Sequence, residues 1–146
     1  MTNNEYSLIF KQKLWANGML SENWVITKEN GDDLLCMIPN ATLLFDYDSN
    51  FDTLTIDCNS FVEKRINEII DQAKDVLGGI HINCIKNYKG QKQLRLRLKD
   101  MGPDHPSLLC LLKRGQKIEV VFHVKGISYV RNQHYLTLCL RDVKLI

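Results

Sequence analysis

Apolar residues recur at every second position through most of this chain and at every third or fourth position in one stretch. Successive side chains of a strand point to opposite faces, so the first pattern marks strands with one buried side, whereas the second marks an amphipathic helix. The helical stretch is clear. Val62, Ile66, Ile69, Ile70, Ala73, Val76 and Leu77 make one apolar stripe, Ser60 and Glu63 read as an S-x-x-E capping box, and Gly78-Gly79 reads as a stop. The spacing predicts a helix over about 61–77. Ahead of it, "NWVIT", "LLCMI", "ATLLFDY" and "FDTLTID" are separated by "ENGDD", "PN" and "DSN", the punctuation of an antiparallel meander. The first segment, Asn4–Ala16, fits both periods. Tyr6, Ile9, Phe10 and Leu14 stand at helical spacing, and Leu8, Phe10 and Leu14 also alternate as a strand. The stop signal Asn17-Gly18 favours helix. After Gly79 the chain returns to alternation in "IHINCIKNY", "KQLRLRLKD", the short run "LLCLL", "KIEVVFHVKGISYV" and "HYLTLCLRDVKLI", interrupted by the proline-containing loop "MGPDHPS".

Two of these later stretches resemble one another. "YKGQKQLRLRLKDM" and "YVRNQHYLTLCLRDV" each open on tyrosine, pass a polar turn, place leucine at alternate positions and end in a basic residue and aspartate. Leu94, Leu96 and Leu98 in one copy, and Leu136, Leu138 and Leu140 in the other, define a buried face. Ile118, Val120, Phe122 and Val124 do the same in the strand between them. The opposite face then carries Arg95, Arg97 and Lys99; Glu119, Val121, His123 and Lys125; and Tyr135, Thr137, Cys139 and Arg141. Each copy reads as a hairpin with a polar tip, "NYKGQK" or "SYVRNQ". Cations that attract phosphates, set among aromatic rings on which unpaired bases stack, are what a single-stranded nucleic-acid surface requires. Lys86, Tyr88, Lys92, Arg95, Arg97, His123, Lys125, Tyr129, Arg131, Tyr135 and Arg141 are the candidate contacts, with Trp15 and Trp24 as secondary stacking residues. The competing reading is an ordinary solvated sheet face whose charges discourage edge-to-edge aggregation.

Charge distribution supports the first reading more than net charge does. The net charge is only +2, but acids predominate before Gly79, and bases outnumber acids from Ile80 onward, where all four histidines also lie. Such asymmetry points to a polyanionic partner, or to two halves that partly neutralise each other. With 45% apolar and 25% charged residues the composition is that of a soluble globular protein. No apolar run approaches a membrane span and the first residues lack a signal-peptide pattern. Five scattered cysteines with no C-x-x-C argue against a disulfide framework, so the expected setting is intracellular, in cytoplasm or nucleus.

From Ile80 onward the chain resembles the oligonucleotide/oligosaccharide-binding (OB) fold, and is similar in particular to the OB-type domain of RecJ-like single-strand exonucleases. The resemblance rests on a first hairpin ending in an alternating leucine/basic strand, then a glycine-led strand (Gly115, Ile118, Val120, Phe122), then a closing hairpin with Leu136, Leu138, Leu140, Asp142 and Val143. "MGPDHPSLLCLL" is short for the segment it replaces, and no nuclease motif accompanies it. The resemblance implies a binding module without a catalytic part, its ligand lying over Arg95, Arg97, His123 and Lys125 with the hairpin tips as clamps. The expected fold is α+β. An N-terminal helix and meander layer (1–79), including the capped helix, packs as one unit with an OB-like antiparallel β-barrel (80–146).

Other constellations are weaker. Asp46, Asp48, Asn50, Asp52 and Asp57 have calcium-loop spacing, but Phe51 stands where glycine is needed and Asp57 is shorter than the usual glutamate, so a hairpin turn is the reading. His81-x-x-Cys84 and His105-x4-Cys110 are not paired zinc half-sites. No nucleotide-loop, hydrolase or metalloprotease motif occurs. The expectation is therefore a non-enzyme without cofactor or metal that binds single-stranded DNA or RNA in DNA replication, repair or recombination. The alternative is a protein-interaction subunit of a larger nucleic-acid-processing or host-factor complex, with a protein partner or a homo-oligomer and no membrane.

Overall fold

A computed structural model describes residues 7–47, 52–101 and 109–146. Along the chain run β1 (Leu8–Leu14), β2 (Leu20–Lys28), β3 (Leu35–Thr42), β4 (Thr53–Asp57), α1 (Ser60–Leu77), β5 (Ile82–Asn83), β6 (Lys86–Tyr88), β7 (Gln91–Arg97), β8 (Lys117–Val130) and β9 (Gln133–Leu145). A 3-10 turn at Lys99–Met101 follows β7. The nine strands form one sheet whose main path is β1-β2-β8-β9-β7-β4, with β3 on β8, β5 on β9 and β6 on β7. Strands from both sides of Gly79 interleave in it: β2 and β3 pair with β8, and β4 pairs with β7. No helix among the described residues is long and apolar enough to cross a membrane.

β8 organises the sheet. One edge pairs with β9 from Ile118↔Leu145 to Val130↔Gln133. The other edge pairs first with β3, over Lys117–His123, and then with β2, at Gly126↔Val25 and Ile127↔Trp24. The change of partner coincides with a β-bulge between Val124 and Gly126, a device that bends a strand and raises its twist. Gly126 is required there. A Cβ at this position would lie 2.0 Å from the Trp24 carbonyl oxygen, a backbone atom that cannot rotate away. The two hairpin turns are tight and left-handed, at Lys89-Gly90 and Arg131-Asn132, all four residues having φ between 51° and 81°, as two-residue hairpin loops demand.

One core lies beneath the sheet. Leu94, Leu96, Leu136, Leu138, Leu140, Ile118, Val120, Phe122 and Val124 are all buried, joined by Leu54, Ile56, Ile38, Ala41 and Ile26 from the other strands. The register inferred from alternation therefore holds on β7, β8 and β9. The stripe of α1 enters the same core through Val62, Ile66, Ile69, Ile70 and Ala73.

Several sequence expectations are corrected. The segment read as an N-terminal helix is strand β1, antiparallel to β2 from Leu8↔Lys28 to Leu14↔Leu20. The half-buried Leu8, Phe10 and Gln12 alternate with exposed Ile9, Lys11 and Lys13, and a free β2 edge offers ladder hydrogen bonds, whereas an isolated helix this short is marginal in water. The C-terminal barrel is not closed: the sheet is open between β3 and β4, which share no ladder and touch at their ends through the isolated bridge Leu43↔Ile56, the hydrogen bond from Leu44 N to Thr55 O (3.1 Å) and that from Thr42 N to Asp57 Oδ1 (2.6 Å). "LCMI" and "AT" belong to one strand, β3, bulged between Ile38 and Ala41 around Pro39, which has no N–H for a ladder. Leu109–Leu112 forms a turn rather than a strand, closed by Leu112 N to Leu109 O (3.0 Å). The helix cap is Asn59, whose side chain accepts from Val62 N at 2.9 Å, so Ser60 is the first helical residue. Asn and Ser cap equally well, and the sequence pattern alone does not separate adjacent candidates.

Leu96→Ala or Leu138→Ala is expected to cost about 2–5 kcal/mol in urea unfolding, the range for a core leucine. Arg97→Ala, on the exposed face, is expected to stay within about 0.5 kcal/mol. Equal losses at Leu96 and Arg97 would mean that the register is shifted by one residue.

Candidate nucleic-acid interface

On the face away from the core, one row of residues crosses five strands. Leu35 pairs with His123, His123 with Cys139, Cys139 with Arg97 and Arg97 with Thr53. Leu35 at one end is exposed and Thr53 at the other is half-buried, but the centre is closed: His123 is 7% and Cys139 0% accessible. The expectation that His123 stands on an open face is thus corrected. Asp33, from the β2–β3 connection, and Arg141, from β9, lie against its ring. Arg141 Nη2 is 2.6 Å from Asp33 Oδ2 and 3.2 Å from His123 Nδ1, and His123 Nε2 is 3.7 Å from Asp33 Oδ1. A guanidinium only donates, so Nδ1 accepts and, in the neutral ring, the proton sits on Nε2, facing the carboxylate. The hydrogen bond from Arg141 holds the Asp33 carboxyl below the usual carboxylate range, against an opposing push from desolvation, and the Lys125 charge adds to the lowering. Asp33 is itself fixed by backbone pairing, through the bridge Thr27↔Asp33 and the adjacent bond from Val124 N to Leu34 O (2.8 Å).

Beside this triad runs a groove of about 390 Å³ between the β1–β2 hairpin and the outer side of β8, within the range of ~300–1,000 Å³ usual for ligand sites. Lys13 comes to it from β1, Trp24 and Thr27 from β2, Arg97 from β7, Lys99 from the turn that follows, and His123, Lys125 and Ser128 from β8. The Ser128 and Thr137 hydroxyls, 2.6 Å apart, face it from the β8/β9 pair. Among the described residues, four cations, Lys13, Arg97, Lys99 and Lys125, thus share the groove with one carboxylate, Asp33. Cations converging on a recess with low-dielectric walls focus the field that draws in a polyanion.

The sequence candidates divide into three groups. Arg97, His123 and Lys125 line the groove, and Arg141 stands beside it, held by Asp33. Arg95 opens onto an adjoining recess of about 370 Å³ with Phe45, Asp46 and Thr53. Tyr129, Arg131 and Tyr135 occupy the tip half of the β8/β9 hairpin. The Tyr129 ring leans on His134, with centroids 4.8 Å apart and 45° between planes, and its amide donates to Asn23 Oδ1 at 2.8 Å, tying the tip to β2. Lys86, Tyr88 and Lys92, on the β6/β7 hairpin, are not brought to the groove. Lys92 is ion-paired with Glu63 at 2.5 Å on the helix side, and the Lys89 ammonium stands 5.3 Å from the Tyr88 ring centre. Lys13 and Asp33 escaped sequence reasoning. Lys13 was hidden by the helical reading of β1, and Asp33 sits in a turn that carries no periodicity. Lys99 was legible, since it continues the alternation of Arg95 and Arg97.

The acidic loop and the cysteines serve the fold. Asp46 Oδ1 accepts from Arg114 N at 2.7 Å and Asp57 Oδ1 from Thr42 N at 2.6 Å. Asp48 and Asn50 lie outside the described residues. No cluster of metal-ligating side chains occurs among the described residues. Of the two proposed half-sites, His81 Nε2 lies 3.2 Å from Asn83 Oδ1, and His105 lies outside the described residues. Burial pushes the Cys84 thiol up to about 12 and the Cys58 thiol up to about 11, whereas Cys110 is exposed. A thiol held protonated is a poor nucleophile and a poor metal ligand.

Brief alkylation of the native protein near neutral pH should therefore label Cys110 and spare Cys58 and Cys84, read by peptide mass spectrometry. The raised thiols also predict a pH effect. The unfolded thiols ionise first, so above about pH 9 the folded state holds more protons and stability falls as pH rises toward 11 to 12. Cys84→Ala should lose less melting temperature than the parent over that window. An equal loss would contradict the burial of this thiol.

Comparison with known proteins finds no matching family model, no matching curated protein and no matching solved structure.

Proposed function

We propose that the protein is a non-catalytic, intracellular binder of single-stranded nucleic acid, an OB-like module acting in DNA replication, repair or recombination. The observation that carries this reading is the groove in which Lys13, Arg97, Lys99 and Lys125 converge. Phosphates would take the cations and release counterions, and unpaired bases would stack on Tyr129 and Tyr135 of the adjoining hairpin. A single strand suits the site better than a duplex, because stacking on a side chain requires a base free of its own neighbours. The OB-like part of the reading is supported by strand order. β4, β7, β9, β8 and β3 are neighbours in that sequence, and the gap lies where β3 meets β4, in keeping with a partly open five-stranded Greek key. Its strands span both sides of Gly79, more of the chain than the resemblance from Ile80 covers.

A second reading, an interaction subunit of a larger nucleic-acid-processing or host-factor complex, is favoured by one observation. The tip of the β1–β2 hairpin exposes Leu14, Trp15, Met19 and Leu20, each about 60% accessible. The tip is ordered by Trp15 N to Met19 O (2.7 Å) and Gly18 N to Trp15 O (2.9 Å), so its apolar display is built into the turn.

Titration of a labelled single-stranded oligonucleotide separates the two. Four groove cations predict a salt slope of about −2.8, or about 50-fold weaker binding between about 50 and 200 mM salt. Arg97→Ala, Lys99→Ala and Lys125→Ala should each reduce the slope by about 0.7, for all sequences alike. Tyr129→Ala should weaken binding with little change in slope, because stacking is not ionic. Trp15→Ala should leave binding unchanged. Absence of binding at low salt would remove the nucleic-acid reading and leave the apolar hairpin tip as the functional surface.

A further inference from the structure

The groove contains one group of the wrong sign for the ligand proposed above. Asp33 is rigidly placed, since it bridges Thr27 on β2 and its neighbour Leu34 accepts from Val124 on β8. Its carboxylate is half exposed to the groove, yet both oxygens are directed at groups that bind anions: Oδ2 receives Arg141 Nη2 at 2.6 Å and Oδ1 faces His123 Nε2 at 3.7 Å. An arginine presents a planar fork that accepts a carboxylate or a phosphate oxygen pair interchangeably. The carboxylate therefore occupies the position and supplies the charge of a ligand phosphate.

We propose that Asp33 is a built-in phosphate mimic that masks Arg141 in the free protein and is displaced from it by the nucleic-acid backbone. The inference rests on the nucleic-acid reading of the groove. Its physical content is competition. While Asp33 holds Arg141, the incoming strand meets one carboxylate and one fewer available cation. A ligand with only one or two phosphates gains too little from Lys13, Arg97, Lys99 and Lys125 to exchange the partner of Arg141. A strand that engages the whole groove gains enough, and then acquires Arg141 as a further contact. The device raises the threshold for binding short anions and nucleotides relative to a continuous strand. A surface ion pair of this kind, with side chains 36% and 50% accessible, is weak enough to be exchanged.

The test compares wild type with Asp33→Asn, a near-isosteric change that removes the charge, against a labelled oligothymidylate and against inorganic phosphate at several salt concentrations. Asp33→Asn should bind the oligonucleotide more tightly, with a slope steeper by about 0.7 for the one cation released, and should gain proportionally more for phosphate. Arg141→Ala added to Asp33→Asn should abolish the gain in slope. If wild type binds the oligonucleotide and Asp33→Asn binds no more tightly, the mimic is overturned while the groove reading stands. If neither protein binds at low salt, both fall together. Should Asp33→Asn fail to fold, wild type itself supplies the answer through NMR. The Arg141 guanidinium and Asp33 carboxyl signals should shift together and saturate with the oligonucleotide, and signals that stay fixed while the groove lysines shift would overturn the proposal.

Discussion

Gly126 lets β8 serve two strands along one edge. β9 occupies the opposite edge for the whole length of β8, so β3 and β2 must share what remains. They can do so only if β8 bends between them and if the Trp24 backbone comes closer than any side chain would permit, 2.0 Å from where a Cβ would stand. The bulge between Val124 and Gly126 supplies the bend, and the glycine supplies the space. Everything on the outer face follows from this crossing. The β1–β2 hairpin is laid against the far half of β8, a groove is left along the line where the partners change, and the β2–β3 connection is delivered to its wall.

The same geometry separates chemistry from stability. Residues facing inward from β7, β8 and β9 are leucine, isoleucine, valine and phenylalanine with almost no accessible surface, so the hydrophobic term is concentrated on one side of the sheet. The outward side is then free to carry charge. Part of it is not free, however. At the row through His123 and Cys139 the outer side is buried as well, because Asp33 and Arg141 close over it. This is the place where the fold puts a carboxylate among cations, and where a structural ion pair and an anion site share the same atoms.

Alternation alone located the buried leucines, both hairpins and the exposure of Arg95, Arg97 and Arg141, because a one-residue slip would have turned the core outward and no other register fits. The helix was legible from its stripe, though its cap lay one residue earlier, at Asn59. Three things were not legible, each for a physical reason. The period of Asn4–Ala16 admitted both helix and strand, and the choice was made by a β2 edge far away in sequence. Closure of the barrel depends on how far β3 and β4 approach, and they share one isolated bridge rather than a ladder. The groove depends on long-range pairing that brings Lys13, Arg97 and Lys125 together from three strands, and no local pattern encodes that meeting. Of the candidate contacts, Arg97, His123 and Lys125 converge on the groove with Arg141 beside it, whereas Lys86, Tyr88 and Lys92 belong to another side of the molecule.

Hydrogen–deuterium exchange of the protein with and without a single-stranded oligonucleotide tests the central claim most directly, because it maps the ligand without altering a residue. The account predicts new protection in peptides covering Trp24–Thr27, Arg97–Lys99 and Lys125–Ser128, with the β6/β7 hairpin unchanged. Protection confined to the Leu14–Leu20 tip or to the β6/β7 hairpin, or no protection under conditions where binding is measured, would contradict it.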